Sequence, residues 1–186
     1  MGMLKRIIGA LLLKDEIYEE IEADGGATIQ ALLIVVLSQL AISVWFLVLV
    51  ENPNPSVPVS WSIGDTLLAV VQGIIYWALL AGVIYVIGVT LFNTNQTQTS
   101  WGEVARTIGF AQTPNLFLFL TPLVVTFGEV LALWLAFACV SWTITATVIA
   151  VRAALDYTST IRAILVVVAG YAVAVSCSFV FQSIFS

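Results

Sequence analysis

The chain contains no histidine, and only 9% of its 186 residues carry a charged side chain. Without histidine it lacks the commonest general base and the commonest metal ligand. Six Lys and Arg residues against eleven Asp and Glu leave no basic surface for nucleic acid. Cys139 and Cys177 lie in separate apolar runs, with neither a CxxC pair nor a disulfide framework. We therefore expect no nucleic-acid partner, no metal and no cofactor.

Hydrophobic residues make up 61% of the chain, and the mean hydropathy is +1.08. Soluble domains average about 45–50% apolar and about 25% charged residues. So few polar side chains cannot cover a soluble globule, whereas a bilayer needs spans of roughly 20 apolar residues. The composition predicts an all-α integral membrane protein. Its five predicted spans cover about residues 25–50, 66–92, 107–127, 128–151 and 161–185.

Residues 1–24 form a separate segment before the transmembrane domain of residues 25–186. Leu4, Ile7, Ile8 and Leu11 share one face at helical spacing. This pattern predicts a short amphipathic helix over residues 3–22, which we expect to lie on the membrane surface.

The third span is the least regular of the five, because it contains Pro114 and Pro122. A proline inside a helix either kinks it or ends it. Two structures are therefore compatible with this segment: a kinked helix that crosses the membrane, or a re-entrant segment. A re-entrant backbone would need protein or water partners for its polar groups.

The basic residues segregate to one side of a five-span topology. If the N-terminus is cytoplasmic, the cytoplasmic side receives all six, namely Lys5, Arg6, Lys14, Arg106, Arg152 and Arg162. This is the pattern of the positive-inside rule. It predicts a cytoplasmic N-terminus and a C-terminus outside.

Every charged residue falls at a predicted span end or in a loop, so no span offers a carboxylate pair or an arginine ladder. Motifs of common enzyme classes are also missing, and we expect no enzymatic activity. A charge cluster at the inner span ends comprises Glu103, Arg106, Arg152, Asp156 and Arg162. We expect Arg106 to pair with Glu103, and Arg152 or Arg162 with Asp156. Contact of the arginines with lipid phosphates is the alternative.

Small residues recur at four-residue spacing on three of the spans. The stripes are Ala78 and Gly82 on span two, Ala146, Ala150 and Ala154 on span four, and Gly170, Ala174 and Ser178 on span five. Such stripes allow close helix packing in lipid. Span four also carries Ser141, Thr143, Thr145 and Thr147. Their hydroxyls bond either to helices or to a small solute.

A dense acidic patch precedes the first span. It consists of Asp15, Glu16, Glu19, Glu20, Glu22 and Asp24. The patch is either a solvated helix face or a docking surface for a basic partner.

Two stretches of the sequence resemble the Yip-domain family, which is named for eukaryotic members that interact with Ypt/Rab GTPases. In residues 101–114, Arg106 and the pair Gly109-Phe110 precede Pro114, as in the family's pre-span segment. Residues 134–155 and 160–163 resemble the family's fourth span and the turn into its fifth. The likeness covers roughly residues 28–184.

The resemblance implies five spans, a cytoplasmic N-terminus and no known catalytic role. The chain lacks the long N-terminal region and the Asp-Leu-Tyr-Gly-Pro motif of the eukaryotic branch, so Rab binding does not carry over. The leading hypothesis is a scaffold or accessory subunit, in contact with membrane lipids and a protein partner, in a prokaryotic cell membrane. A passive pore or carrier for a small solute and a membrane-shaping protein are the alternatives.

Overall fold

A computed structural model describes residues 2–50, 62–93 and 99–185; for residue 50 and residues 178–185 it describes the backbone. These residues form helices and no strand. The α-helices are α1 (Met3–Leu11), α2 (Asp15–Ala23), α3 (Ala27–Val50), α4 (Ile63–Thr90), α5 (Trp101–Ala111), α6 (Thr121–Val124), α7 (Glu129–Ala154) and α8 (Thr160–Phe185). Two 3-10 helices, Thr113–Leu120 and Val125–Phe127, flank α6.

Five segments are long and apolar enough to cross a membrane: α3, α4, residues 101–127, α7 and α8. Their outward faces carry large apolar side chains that are more than half exposed, such as Leu67 and Val71 on α4 and Leu133 and Phe137 on α7. A continuous apolar surface of this size is typical of contact with lipid. The prediction of an all-α membrane protein with five spans is confirmed.

The N-terminal helix is present but is interrupted, because α1 and α2 replace the single helix predicted over residues 3–22. Leu13 between them has a φ of 56°, a conformation that ends a helix. The two helices then pack against each other very closely. A Cβ atom added at Gly9 would lie 2.4 Å from Cγ1 of Ile17, so any larger residue would have to displace Ile17.

The third span is broken into four helical pieces, from α5 to the 3-10 helix that ends at Phe127. Thr121 donates a hydrogen bond of 2.6 Å to the carbonyl of Leu118, and Ser38 of α3 donates one of 3.0 Å to that of Gln112. These hydroxyls satisfy carbonyls near the two prolines, as irregular backbone at membrane depth requires. Because α7 contacts all four pieces in turn, the segment extends along the length of α7. This geometry favours a kinked span over a re-entrant one.

The five spans pack into one bundle, in which the third span also packs against α4 through α5. Helix α3 packs against α4, α4 against α8, α8 against α7, and α7 against the third span, which returns to α3. The small residues lie at several of these contacts. Ala146, Ala150, Ala154 and Ala174 are buried, and a Cβ atom at Gly170 would lie 2.6 Å from Cγ1 of Ile84 on α4.

The predicted stripe on α4 faces a side chain. Gly82 lies against the Trp101 ring, and the indole N–H of Trp101 donates a hydrogen bond of 3.3 Å to the carbonyl of Ala78. The side chain of Ser178 lies outside the part of the chain that the structure describes.

Candidate functional site

Helices α1 and α2 cover one end of the bundle, where α3 and α5 begin and α7 ends. We call it the arginine end, because Arg6, Arg106, Arg152 and Arg162 lie there. Helix α2 contacts both α5 and α7, and α1 contacts α5. The indole N–H of Trp142 on α7 donates a hydrogen bond of 3.0 Å to the carbonyl of Leu11 on α1. The first two helices are therefore part of the folded unit.

Arg6 joins three helices. Its side chain is 1% exposed, and its guanidinium donates to Glu20 of α2 at 2.8 Å, to Asp24 and, at 3.0 Å, to Gln30 of α3. The hydrogen bond from Arg6, together with one from the backbone N–H of Gly26, lowers the pKa of Asp24. A buried charge requires such a complete set of partners.

Arg106 binds the end of α2 instead of its predicted partner Glu103. Its Nε donates to the carbonyl of Ile21 at 3.3 Å, and its Nη2 donates to that of Glu22. Carbonyls at the end of a helix lack partners within the helix and attract cations. The Glu103 carboxylate instead accepts a hydrogen bond of 2.7 Å from the Ser100 N–H, in the capping box that begins α5.

Arg152 also has a different partner from the one predicted. It pairs with Asp15 at the start of α2 and donates a hydrogen bond of 3.0 Å to the Thr160 hydroxyl. Arg162 lies 5.8 Å from the centre of the Tyr157 ring, within cation–π range. Asp156, the predicted partner of either Arg152 or Arg162, lies in the turn after α7, with a φ of 51°.

The acidic patch is divided by these contacts. Arg6 holds Glu20 and Asp24, and Arg152 holds Asp15. Glu22 is partly buried; this burial, followed by the negative charges of Asp156 and Glu103, raises its pKa to about 7. Glu16 and Glu19 remain exposed.

An open cleft of about 610 Å³ lies beside the exposed part of the patch. Helix α2 contributes Asp15 and Glu19 to its lining, and the end of α7 and the turn that follows contribute Arg152, Asp156 and Tyr157. Three carboxylates against one guanidinium give the cleft a net negative charge. Such a surface suits a basic segment of a partner.

The span-four hydroxyls bond mainly within their own helix. Thr145 donates to the Ser141 carbonyl at 2.9 Å, and Thr147 donates to the Thr143 carbonyl at 2.8 Å. Thr143 donates to the Asn115 side chain of the third span at 3.1 Å. Among the residues that the structure describes, no group of three His, Cys, Asp or Glu side chains could hold a metal ion.

Two features of the site went unrecognised in the sequence. Arg6 lies in a short, mainly apolar helix that carries one other charge, Lys5, and the pattern at sequence level indicates its role in topology but not its burial in an ion pair. Asn115, an amide in the middle of the third span, was not singled out, although a polar group at that depth needs a partner.

The family model described as the Yip1 domain matches residues 8–181, nearly the whole chain. Among curated proteins and among solved structures, no match to the chain was found. The matched region begins within α1 and ends within α8, so it includes all the contacts of Arg106 and Arg152 described above.

Proposed function

Because the chain belongs to the Yip1-domain family of membrane proteins, we propose that it is a non-enzymatic scaffold or accessory subunit of a membrane complex. Family members interact with other proteins, and the family is not known as enzymatic. The proposed location is a prokaryotic cell membrane, with the arginine end toward the cytoplasm. The proposed partner carries a basic segment that binds α2 and the adjacent cleft.

The observation that carries this proposal is the attachment of α2. Arginines from three different helices bind its first residue, one side of its middle and its last turn. Glu16 and Glu19 are left outward on a helix whose position is fixed. A rigid charged surface binds a partner without the entropy cost of ordering a flexible segment.

The exposed apolar side chains of helix α1 support the proposed contact with lipid. Its side chains Leu4 and Ile8, and Leu12 just beyond its end, are 70%, 49% and 61% exposed. Apolar side chains on one face of a short helix favour a position at the boundary between headgroups and acyl chains. In that position α1 lies on the membrane while α2 remains available to a partner.

Quantitative pull-down from native membranes in mild detergent tests the proposal. We expect the double variant Glu16→Lys/Glu19→Lys to lose at least about nine-tenths of each stoichiometric partner, because charge reversal replaces attraction by repulsion. Partner recovery by the native chain should also fall with added salt, since the Debye length is about 10 Å at 0.1 M. Glu20 is left unchanged because it pairs with Arg6.

Two control variants make the comparison specific. Glu16→Gln/Glu19→Gln should give intermediate recovery, and Glu129→Lys, an exposed reversal where α7 begins, should give native recovery. Equal recovery by all variants would show that the acidic surface is a solvated helix face. A protein recovered without partners that supports solute flux in liposomes would instead favour a pore or carrier.

A further inference from the structure

Helix α4 carries one amide side chain on its outward face. Gln72 is exposed, and it forms no hydrogen bond within the part of the chain that the structure describes. Its neighbours on this face, Leu68, Ile75 and Leu79, are apolar and more than half exposed. Because α4 is long and apolar enough to span the membrane, this face contacts acyl chains, which offer an amide neither a donor nor an acceptor.

Gln72 lies too deep in the membrane for water to satisfy its amide. Asp65 accepts a hydrogen bond of 2.7 Å from the Ser62 N–H in the capping box that begins α4, and its charge places this first turn at the polar boundary. Gln72 comes two helical turns later, roughly 10 Å deeper at about 1.5 Å per residue. The hydrocarbon core is about 30 Å thick. A glutamine side chain is shorter than the lysine and arginine side chains that reach back to the interface.

The adjacent span does not supply the missing partner. Gln39 of α3 packs against Gly73, the buried residue that follows Gln72, and a Cβ atom at Gly73 would lie 2.3 Å from Cδ of Gln39. Although the two amides belong to neighbouring helices, no hydrogen bond joins them in the described part of the chain. Polar side chains in lipid-facing helices bond across to another helix. The partner of Gln72 therefore belongs to another molecule in the membrane.

The residues around Gln72 match a second copy of the same helix. Leu68, Gln72, Ile75 and Leu79 follow one another at steps of four, three and four residues, the spacing of a seam between two helices. We call these four residues the α4 seam. All copies of the chain insert in the same orientation, so a two-fold axis along the membrane normal makes two α4 helices parallel and places Gln72 opposite Gln72. An amide is self-complementary, because it has N–H donors and an acceptor oxygen.

We propose that two copies of the chain associate through the α4 seam, with each Gln72 donating a hydrogen bond to the other across the two-fold axis. A single polar residue in such a seam fixes the register of the two helices. The contact ends after Leu79, because the Trp101 ring covers Gly82, the next position of the series. Helix α2 packs on α5 and α7, so the association leaves the acidic patch of each copy open.

Stepwise photobleaching of the fluorescently labelled full chain in phosphatidylcholine vesicles measures the association. The native chain should change from one to two bleaching steps as the protein-to-lipid ratio rises. Gln72→Leu should need a ratio about tenfold higher for half-association, because two hydrogen bonds between helices are lost. Ser141→Leu, which removes an exposed polar side chain from α7, should associate like the native chain. One step at every ratio, or equal association of native chain and Gln72→Leu, would overturn the proposal.

Disulfide cross-linking in native membranes tests which face of the bundle makes the contact. In a chain whose two cysteines are replaced by alanine, Ile75→Cys should form a covalent dimer when a membrane-permeant oxidant is added. Val140→Cys on α7, at a residue that is 52% exposed against 53% for Ile75, should remain monomeric. Adding Gln72→Leu to Ile75→Cys should reduce the dimer. Equal cross-linking at the two positions, or cross-linking of Ile75→Cys only to a different protein, would overturn the proposal.

Discussion

At the residue scale, the most consequential side chain is Arg6. It is nearly inaccessible to solvent, yet Glu20 and Asp24, which neutralise it, remain partly exposed. Desolvation therefore penalises the guanidinium more than the two carboxylates. A buried ion pair adds little net stability, but loss of one partner is costly. The role of Arg6 is therefore to fix where α1 lies on α2 and α3.

The variant Arg6→Met should release α1 and α2. Removal of one member of a buried pair costs about 3–5 kcal/mol, and the exposure of the carboxylates reduces the expected cost to about 2 kcal/mol. Hydrogen exchange measured by mass spectrometry should then be roughly 30-fold faster in residues 1–24, where local opening governs exchange. Lys5→Met, one residue away and exposed, should exchange like the native chain. Equal protection in the two variants would contradict this role.

At the element scale, the contact between α8 and α4 depends on one glycine. The backbone of Gly170 lies so close to Ile84 that even a methyl group would overlap it. In lipid, helix association relies on this kind of close packing, because the hydrophobic effect does not operate between helices there.

The variant Gly170→Leu should push α8 away from α4. Overpacking of this kind costs about 1–3 kcal/mol, and the temperature of unfolding in detergent should fall accordingly. Ala172→Leu introduces the same side chain at an exposed position on α8 and should unfold at the native temperature. If both variants unfold together, the contact at Gly170 does not contribute to stability.

Helix positions were far easier to predict than side-chain partners. The five spans follow from long apolar runs, a property of neighbouring residues. The partner of Arg152 lies 137 residues away in Asp15, and that distance carries no local signal. Proximity in the sequence predicts a pair of Glu103 and Arg106. In the structure, Glu103 instead accepts a hydrogen bond from the backbone at the start of α5, and Arg106 donates to a backbone carbonyl at the end of α2. The partners of both side chains are therefore set by backbone groups at helix ends, which have no partner within their own helix.

At the scale of the whole molecule, the bundle of spans places all the described arginine contacts at one end. An odd number of crossings predicts chain termini on opposite sides of the membrane, and the segregation of basic residues predicts which side each one occupies. Ser186, the last residue, lies outside the described residues, so its side must be measured.

Cysteine labelling measures the topology. In a chain whose Cys139 and Cys177 are replaced by alanine, we expect Ser186→Cys to react with a membrane-impermeant maleimide added to intact cells. Met3→Cys should react only after the membrane is opened. Equal labelling of the two variants in intact cells would contradict the five-crossing topology. Labelling of Met3→Cys alone would show the reverse orientation, with the N-terminus outside.

The contacts of the arginine end differ in how much of the chain must exist before they can form. Arg6 finds its partners 14, 18 and 24 residues along the chain. Arg106 and Arg152 reach back 85 and 137 residues. Short loops close faster than long ones. During synthesis the contacts of Arg6 can therefore form as soon as the start of α3 has emerged from the ribosome. Helix α2 is then held only by the contacts of Arg6 until α5 and finally α7 have been synthesised. The contacts that hold α2 therefore form in the order in which their arginines are translated.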